Sequence, residues 1–413
     1  MKTSEGQMES PLQGFRISSQ QRRAWSLCRP GEHPGVPYGV HCALELEGEL
    51  DRSALAAALA HCLGRNEILR TRLVCPPGLA LPIQVIGDPG DSGHSAPHPL
   101  PFVDLSPLPL AEQSAEVERR IASGVPLSAD GEPAALGCEL LGLAADRHLL
   151  LVSLAAGLAD AAAAADLLRE LAAAYAACRQ GGEPPAAERL QYADYAEWQH
   201  HLAAAEESAP GLAHWQRQDL SPLATLRLPF ERESAGDPPF RPRTLPVAVP
   251  PLLAAAAAAL ARDLGIDPAT IWLAAWATLL GRLCDSEEML LGVLRDSRDV
   301  EALQHAQGLF ARYLPVAVGI SGERPFPALA SSLAALLQEA ETWQELFSLQ
   351  GPAFFPFCFD WEERTAREEA AGVTFTLAHL AAVIDRFVLR LTGVLATSGL
   401  GFELGYDESR LDA

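Results

Sequence analysis

The groups in this sequence that could do chemistry are few and scattered. Two adjacent imidazoles, His200 and His201, follow the run Leu190-Gln191-Tyr192-Ala193-Asp194-Tyr195-Ala196-Glu197-Trp198-Gln199. That run has helical character, and neighbours on a helix point about 100° apart, so a solvated helix face is the expectation for the pair. Ser153 lies in an apolar run without a base beside it in sequence, and a serine with no adjacent base is inert as a nucleophile. His94 and His98 fall in a stretch rich in Pro, Gly and Ser and lack a third ligand, so no metal site is expected there. The eight cysteines (28, 42, 62, 75, 138, 178, 284 and 358) form no Cys-x-x-Cys pair. They read as small buried hydrophobes of a reducing cytoplasm, not as metal ligands or disulfides. Two carboxylates stand out by position: Asp160, after a small-residue break, and Asp360, after an aromatic strand.

The elements that must place these groups can be read from periodicity. His148 to Leu154 is an apolar run, Ala155 to Asp160 a small-residue turn, and Asp166 to Tyr175 carries apolar residues at helical spacing. Buried strand, loop and helix follow. Phe15 to Trp25 reads as a turn feeding a helix capped by Ser18 or Ser19. Val40 to Leu46 reads as a strand, Arg52 to Leu63 as a helix, Pro82 to Ile86 as a short strand, Leu110 to Ser123 as a helix and Leu136 to Ala144 as a strand beside the central one. Gly265-Ile266-Asp267-Pro268 separates two helices between Pro250 and Leu283, with Asp267 as cap and proline at the first helical position. Met289 to Leu294 is a strand, and Phe387 to Leu411 alternates as a last hairpin.

The 413 residues suit two domains, and 49% hydrophobic residues can bury sizeable cores. Gln180-Gly181-Gly182-Glu183-Pro184-Pro185 is the best linker, so the expected lobes are 1–182 and 183–413. A formal charge of −22 repels phosphate backbones and anionic lipid, which disfavours nucleic-acid or membrane-surface partners. Met1 to Pro11 lacks an apolar signal core, and the Ala-rich segments fall short of a clean span of about 20 apolar residues. A cytoplasmic location is the expectation.

The central stretch resembles the core motif of the condensation domains of nonribosomal peptide synthetases, His-His-x-x-x-Asp-Gly followed by Leu-Leu-x-Glu-Leu-x-x-x-Tyr. Here Leu167-Leu168-Arg169-Glu170-Leu171 and Tyr175 match the helix, and Asp160 takes the motif aspartate. The two histidine positions are then Ala155 and Ala156, and the glycine is Ala161. Further matches run in order: Ser18 to Trp25; Leu46-Glu47-Gly48-Glu49-Leu50-Asp51; Arg65-Asn66-Glu67-Ile68-Leu69-Arg70-Thr71; Tyr192-Ala193-Asp194-Tyr195-Ala196-Glu197-Trp198; Gly292 to Arg298; and Gly308 to Val318, with Arg312 in the asparagine place. Trp343 to Phe347 is a worn form of the family's His-Gln-Asp-x-Pro-Phe-Glu.

The resemblance implies an α/β fold of two chloramphenicol-acetyltransferase-like lobes arranged as a V, a pseudo-dimer. It implies that Asp160 is structural and held across the lobes by Arg298. An alanine methyl neither accepts a proton nor donates a hydrogen bond, so Ala155 and Ala156 leave no catalytic residue at the motif. The heterocyclising relatives' Asp-x-x-x-x-Asp is absent too, since its first position is Ala155. The chain is closer to X-type relatives that recruit tailoring oxygenases, or to interface-type domains. Ser153, Arg312, Trp343 and Asp360 are the candidate tunnel residues, with Arg312 either filling the space of a pantetheine arm or lying on the surface. The expected partners are a peptidyl carrier protein, which would present phosphopantetheine, and a tailoring oxygenase such as a hydroxylase or P450. No bound cofactor or metal is expected. The rival expectation is an acyl, aminoacyl or cyclising transferase that works by proximity alone.

Overall fold

The computed structural model describes residues 14–28, 38–88, 100–129, 132–184, 189–232, 236, 238–349, 351, 353–364, 366–397 and 399–412. His94, His98, Met1 to Pro11 and Pro185 lie outside these residues. In chain order the first half carries β1 (Phe15–Arg16), α1 (Ser19–Leu27), β2 (Gly39–Gly48), α2 (Arg52–Arg65), β3 (Thr71–Val74), β4 (Ile83–Ile86), β5 (Phe102–Asp104), α3 (Leu110–Ser123), β6 (Ser128–Ala129), β7 (Glu132–Pro133), β8 (Leu136–Ala144), β9 (Arg147–Ala155) and α4 (Ala161–Arg179). The second half carries α5 (Tyr192–Ala204), α6 (Ala209–Gln216), β10 (Pro242–Ala248), α7 (Pro251–Leu264), α8 (Pro268–Cys284), β11 (Glu288–Arg295), β12 (Arg312–Gly319), α9 (Phe326–Thr342), β13 (Phe357–Arg364), β14 (Arg367–Ala370), β15 (Val373–Val383), β16 (Leu389–Ala396) and β17 (Gly399–Asp407).

Two six-stranded sheets organise the fold, in the orders β14-β15-β2-β9-β8-β5 and β10-β17-β16-β13-β11-β12. Strand β9 is apolar on both faces because both are covered. Leu150, Val152 and Leu154 join the core formed with α2 and α4, while Leu149 and Leu151 join a smaller cluster with Leu105, Val117 and Ile121. Helix α4 inserts Ala163, Leu167, Leu168, Leu171 and Tyr175 into the first core, and the Tyr175 ring meets Phe375 at 5.4 Å. Ser18 caps α1 through a reciprocal box with Gln21, and Asp51 and Asp267 cap α2 and α8.

The expected division at 182/183 does not separate the two sheets. Strand β15 pairs antiparallel with β2 from Val373↔Gly48 to Val383↔Gly39, so a segment from the second half completes the first sheet. Without β15, β2 would present an open edge, and pairing across the lobes removes it. Tyr192, Tyr195, Leu309 and Phe310 likewise pack into the first core, whereas Tyr38 belongs to the second. No single described helix is long and apolar enough to cross a membrane.

Candidate functional site

Strand β9 ends at Ala155, and the chain turns through Gly157, whose φ of 79° is left-handed, before Asp160 caps α4. Asp160 is 1% exposed, and both of its carboxylate oxygens accept hydrogen bonds. Its Oδ1 accepts from the Ala163 N–H at 3.0 Å. Its Oδ2 accepts from the Phe310 and Ala311 N–H groups at 2.7 and 3.0 Å and from Arg298 Nη1 at 2.9 Å. Asp160 and Arg298, 138 residues apart, thus join the helix start of one lobe to the β11–β12 connection of the other.

Arg298 is as fully engaged. It donates to the carbonyls of Ala306 and Gly308 at 3.0 and 3.1 Å and to Asp296 Oδ2 at 2.7 Å, and its guanidinium lies 4.5 Å from the centre of the Phe310 ring. Burial disfavours its charge, but Asp160 and Asp296 prevail and raise its pKa. Both groups are buried and spend most of their hydrogen bonds on each other and on the backbone around them, which makes their role architectural.

Ala155 packs against the first core and Ala156 against the second. At the two motif positions, therefore, methyl groups stand at the seam between the lobes. Ala161 lines a cavity of about 330 Å³ at the lobe junction, together with Asp160, Leu294, Asp296, Tyr313, Asp360, Trp361 and Arg390.

Of the four candidate tunnel residues, Asp360 alone among the described lining residues reaches this cavity. It is 2% exposed; its Oδ2 accepts from the Tyr313 hydroxyl at 3.0 Å and lies 3.6 Å from Arg390 Nη1. Burial pushes its carboxyl up to about 6, against the pull of Arg390. Arg312 is no surface residue: it is 7% exposed, pairs with Glu345 at 2.6 Å, and donates to the Tyr195 hydroxyl and the Gln344 carbonyl at 2.7 Å each. It seals α5 against the end of α9. Trp343 ends α9, and its carbonyl accepts from Trp215 Nε1 at 2.8 Å.

Ser153 departs from the expectation of a hydroxyl without a base. His41 Nδ1 lies 2.8 Å from its Oγ, because β2 and β9 pair His41 with Ser153. The same Oγ accepts from the Val125 N–H at 2.8 Å, so the hydroxyl is held between the imidazole and the backbone after α3. At 1% exposure it meets no substrate; the pair pins the end of α3 to the sheet. His200 Nε2 lies 2.9 Å from the Ile17 carbonyl and His201 is exposed, so that pair serves the helix surface. The sequence reading missed Tyr313, Arg390 and His41. Only strand register could have signalled His41, and no local pattern marks the other two.

Two sheets with a capped helix at their seam define a two-lobed chloramphenicol-acetyltransferase-like α/β protein. The chain belongs to the condensation-domain family, whose model matches residues 13–346. It is 29% identical over 335 residues to chondramide synthase cmdD of Chondromyces crocatus, covering 80% of this chain and 8% of that protein. The chain thus spans a small fraction of that curated relative's length. Among solved structures, it is similar to the teicoplanin-biosynthesis X-domain in complex with OxyB, with a TM-score of 0.76, 25% identity, and coverage of 100% of this chain and 92% of that one. The first condensation domain of the CDA synthetase shares the fold, with a TM-score of 0.78 at 18% identity over 97% and 92% of the two chains.

Proposed function

We propose that this chain is a catalytically silent condensation-type domain of nonribosomal peptide biosynthesis. In this reading it is a docking platform for a peptidyl carrier protein, for a tailoring oxygenase of the hydroxylase or P450 kind, or for both. The observation that carries the reading is the contrast at one loop: Asp160 keeps all its structural partners, while Ala155 and Ala156 have no group able to take a proton. The likeness to an X-domain solved with OxyB supports an oxygenase as the partner.

The test is calorimetry and pull-down with the carrier domains and tailoring oxygenases encoded beside this chain. Saturable binding to at least one is expected; no binding to any of them removes the proposal. A transferase that relies on proximity is the second reading, favoured by the cavity of about 330 Å³ that persists beside Ala161. Carriers loaded with acyl and aminoacyl groups, followed by mass spectrometry, separate the two. Product formed by the unmodified chain would favour the transferase.

A further inference from the structure

A second cavity, of about 1040 Å³, opens where the segment 220–232 meets Phe354 and Arg410, and it shares no described lining residue with the lobe-junction cavity. Its charge runs against that of the chain. The protein carries 53 acidic and 31 basic residues, yet the described lining sets Arg227, Arg232 and Arg410 against the single carboxylate of Glu231. Local alternation builds this arrangement: Leu226 and Leu228 are buried in the second core, so Arg227 between them turns outward. Glu231 turns the other way. Its side chain is 6% exposed and accepts from Arg410 Nη1 at 2.9 Å, which withdraws the one negative charge from the opening. Arg227 Nε stands 3.9 Å from that carboxylate and Nη1 donates to the Leu226 carbonyl at 2.8 Å, while no hydrogen bond among the described residues uses Nη2. Arg232 is paired with Asp412, but that carboxylate is 80% exposed, and a solvent-screened pair holds its arginine loosely.

The lining selects its ligand by charge and by shape. A cation would face three guanidiniums, whereas an anion is drawn to them. The parallel N–H groups of a guanidinium match the two oxygens of a carboxylate. Leu220, Leu223, Pro229 and Phe354 supply apolar surface for the rest of the molecule. The guanidiniums of Arg386 and Arg410 lie 4.9 and 5.7 Å from the centre of the Phe354 ring, so the aromatic wall adds positive potential as well.

We propose that this cavity binds an organic carboxylate carried on an apolar body, the carboxylate accepting from Arg227 while Arg232 reinforces the field around it. The site stands independently of the docking function, and its failure would leave that function untouched.

The probes are 4-phenylbutanoate, its neutral analogue 4-phenylbutanamide, and acetate, titrated into the full chain by calorimetry or ligand-observed NMR in low salt near neutral pH. The phenylbutanoate should bind at least about tenfold tighter than the amide, because charge-assisted hydrogen bonds are lost with the charge. It should also bind at least about tenfold tighter than acetate, which has the same head and no body. Arg227→Gln should abolish the preference for the carboxylate over the amide, and Arg227→Lys, which keeps the charge but not the fork, should retain part of it. Arg243→Gln alters an exposed arginine that does not line the cavity and should leave the preference intact. No saturable binding of phenylbutanoate, equal binding of carboxylate and amide, acetate binding as tightly as phenylbutanoate, a preference that survives Arg227→Gln, or one that vanishes in Arg243→Gln overturns the proposal. Should Arg227→Gln not fold, the salt dependence of the unmodified chain decides. Raising salt to about 1 M should weaken the carboxylate about tenfold and spare the amide, and an unchanged ratio between the two overturns the site.

Discussion

Replacing Asp160 by alanine should be among the most damaging single changes in this chain. Two losses combine. The α4 cap through Ala163 N–H goes, at about 1 kcal/mol. The buried pair with Arg298 also goes, together with the acceptor for the Phe310 and Ala311 N–H groups. Breaking a buried pair from one side costs about 3–5 kcal/mol. The lower end applies, because Asp296 remains 2.7 Å from Arg298 and Asp166 3.7 Å away, so the guanidinium keeps counter-charge. The sum is about 4 kcal/mol, a large part of the roughly 5–15 kcal/mol that holds a domain folded. At roughly 2–4 °C per kcal/mol, the melting temperature should fall by about 12 °C. Asp160→Asn, which keeps an oxygen for Ala163 but not the charge, should fall about half as far. Urea titration at pH 7 with far-UV circular dichroism measures both. If Asp160→Ala lost less than about 1 kcal/mol, the view of this residue as the clasp between lobes would be wrong.

Asp360→Asn carries a pH signature. A carboxyl raised to about 6 in the folded state costs stability as pH rises from about 4 to about 6, so the variant should gain on the parent by up to about 3 kcal/mol over that interval, read from urea titrations at pH 4 and pH 7. Arg312→Ala strands Glu345 and should destabilise by about 3 kcal/mol at pH 7. Burial opposes the Glu345 charge, but Arg312 and hydrogen bonds hold its carboxyl below the ordinary range. That contribution is therefore present above the usual glutamate pKa and lost as pH falls, and the gap between parent and variant should narrow toward pH 4. Gly308→Ala places a methyl 2.1 Å from Cδ2 of Tyr192 at a φ of 151°, and should cost about 3 kcal/mol by the same measurement.

What could be read along the chain was what neighbours in sequence decide. The bounds of α3 and β8 follow from local periodicity, the caps at Ser18, one of the two serines expected there, and at Asp267 from side chains reaching backbone two or three residues on, and the place of Asp160 from its distance to the Leu167-Leu168 helix. The replacement of both motif imidazoles by Ala155 and Ala156 was likewise plain from composition at two positions. The pairing of β15 with β2 was not, nor was His41 beside Ser153, nor Asp360 beside Tyr313 and Arg390. Each depends on the register between strands far apart in the chain, and a shift of one residue would turn those side chains to the opposite face. Arg312 shows the same limit, for one guanidinium is surface or core according to whether Glu345 and Tyr195 arrive around it. Spacing along the chain sets helices, strands and their caps, whereas the environment of a charge is made by groups that only folding brings within a few ångströms.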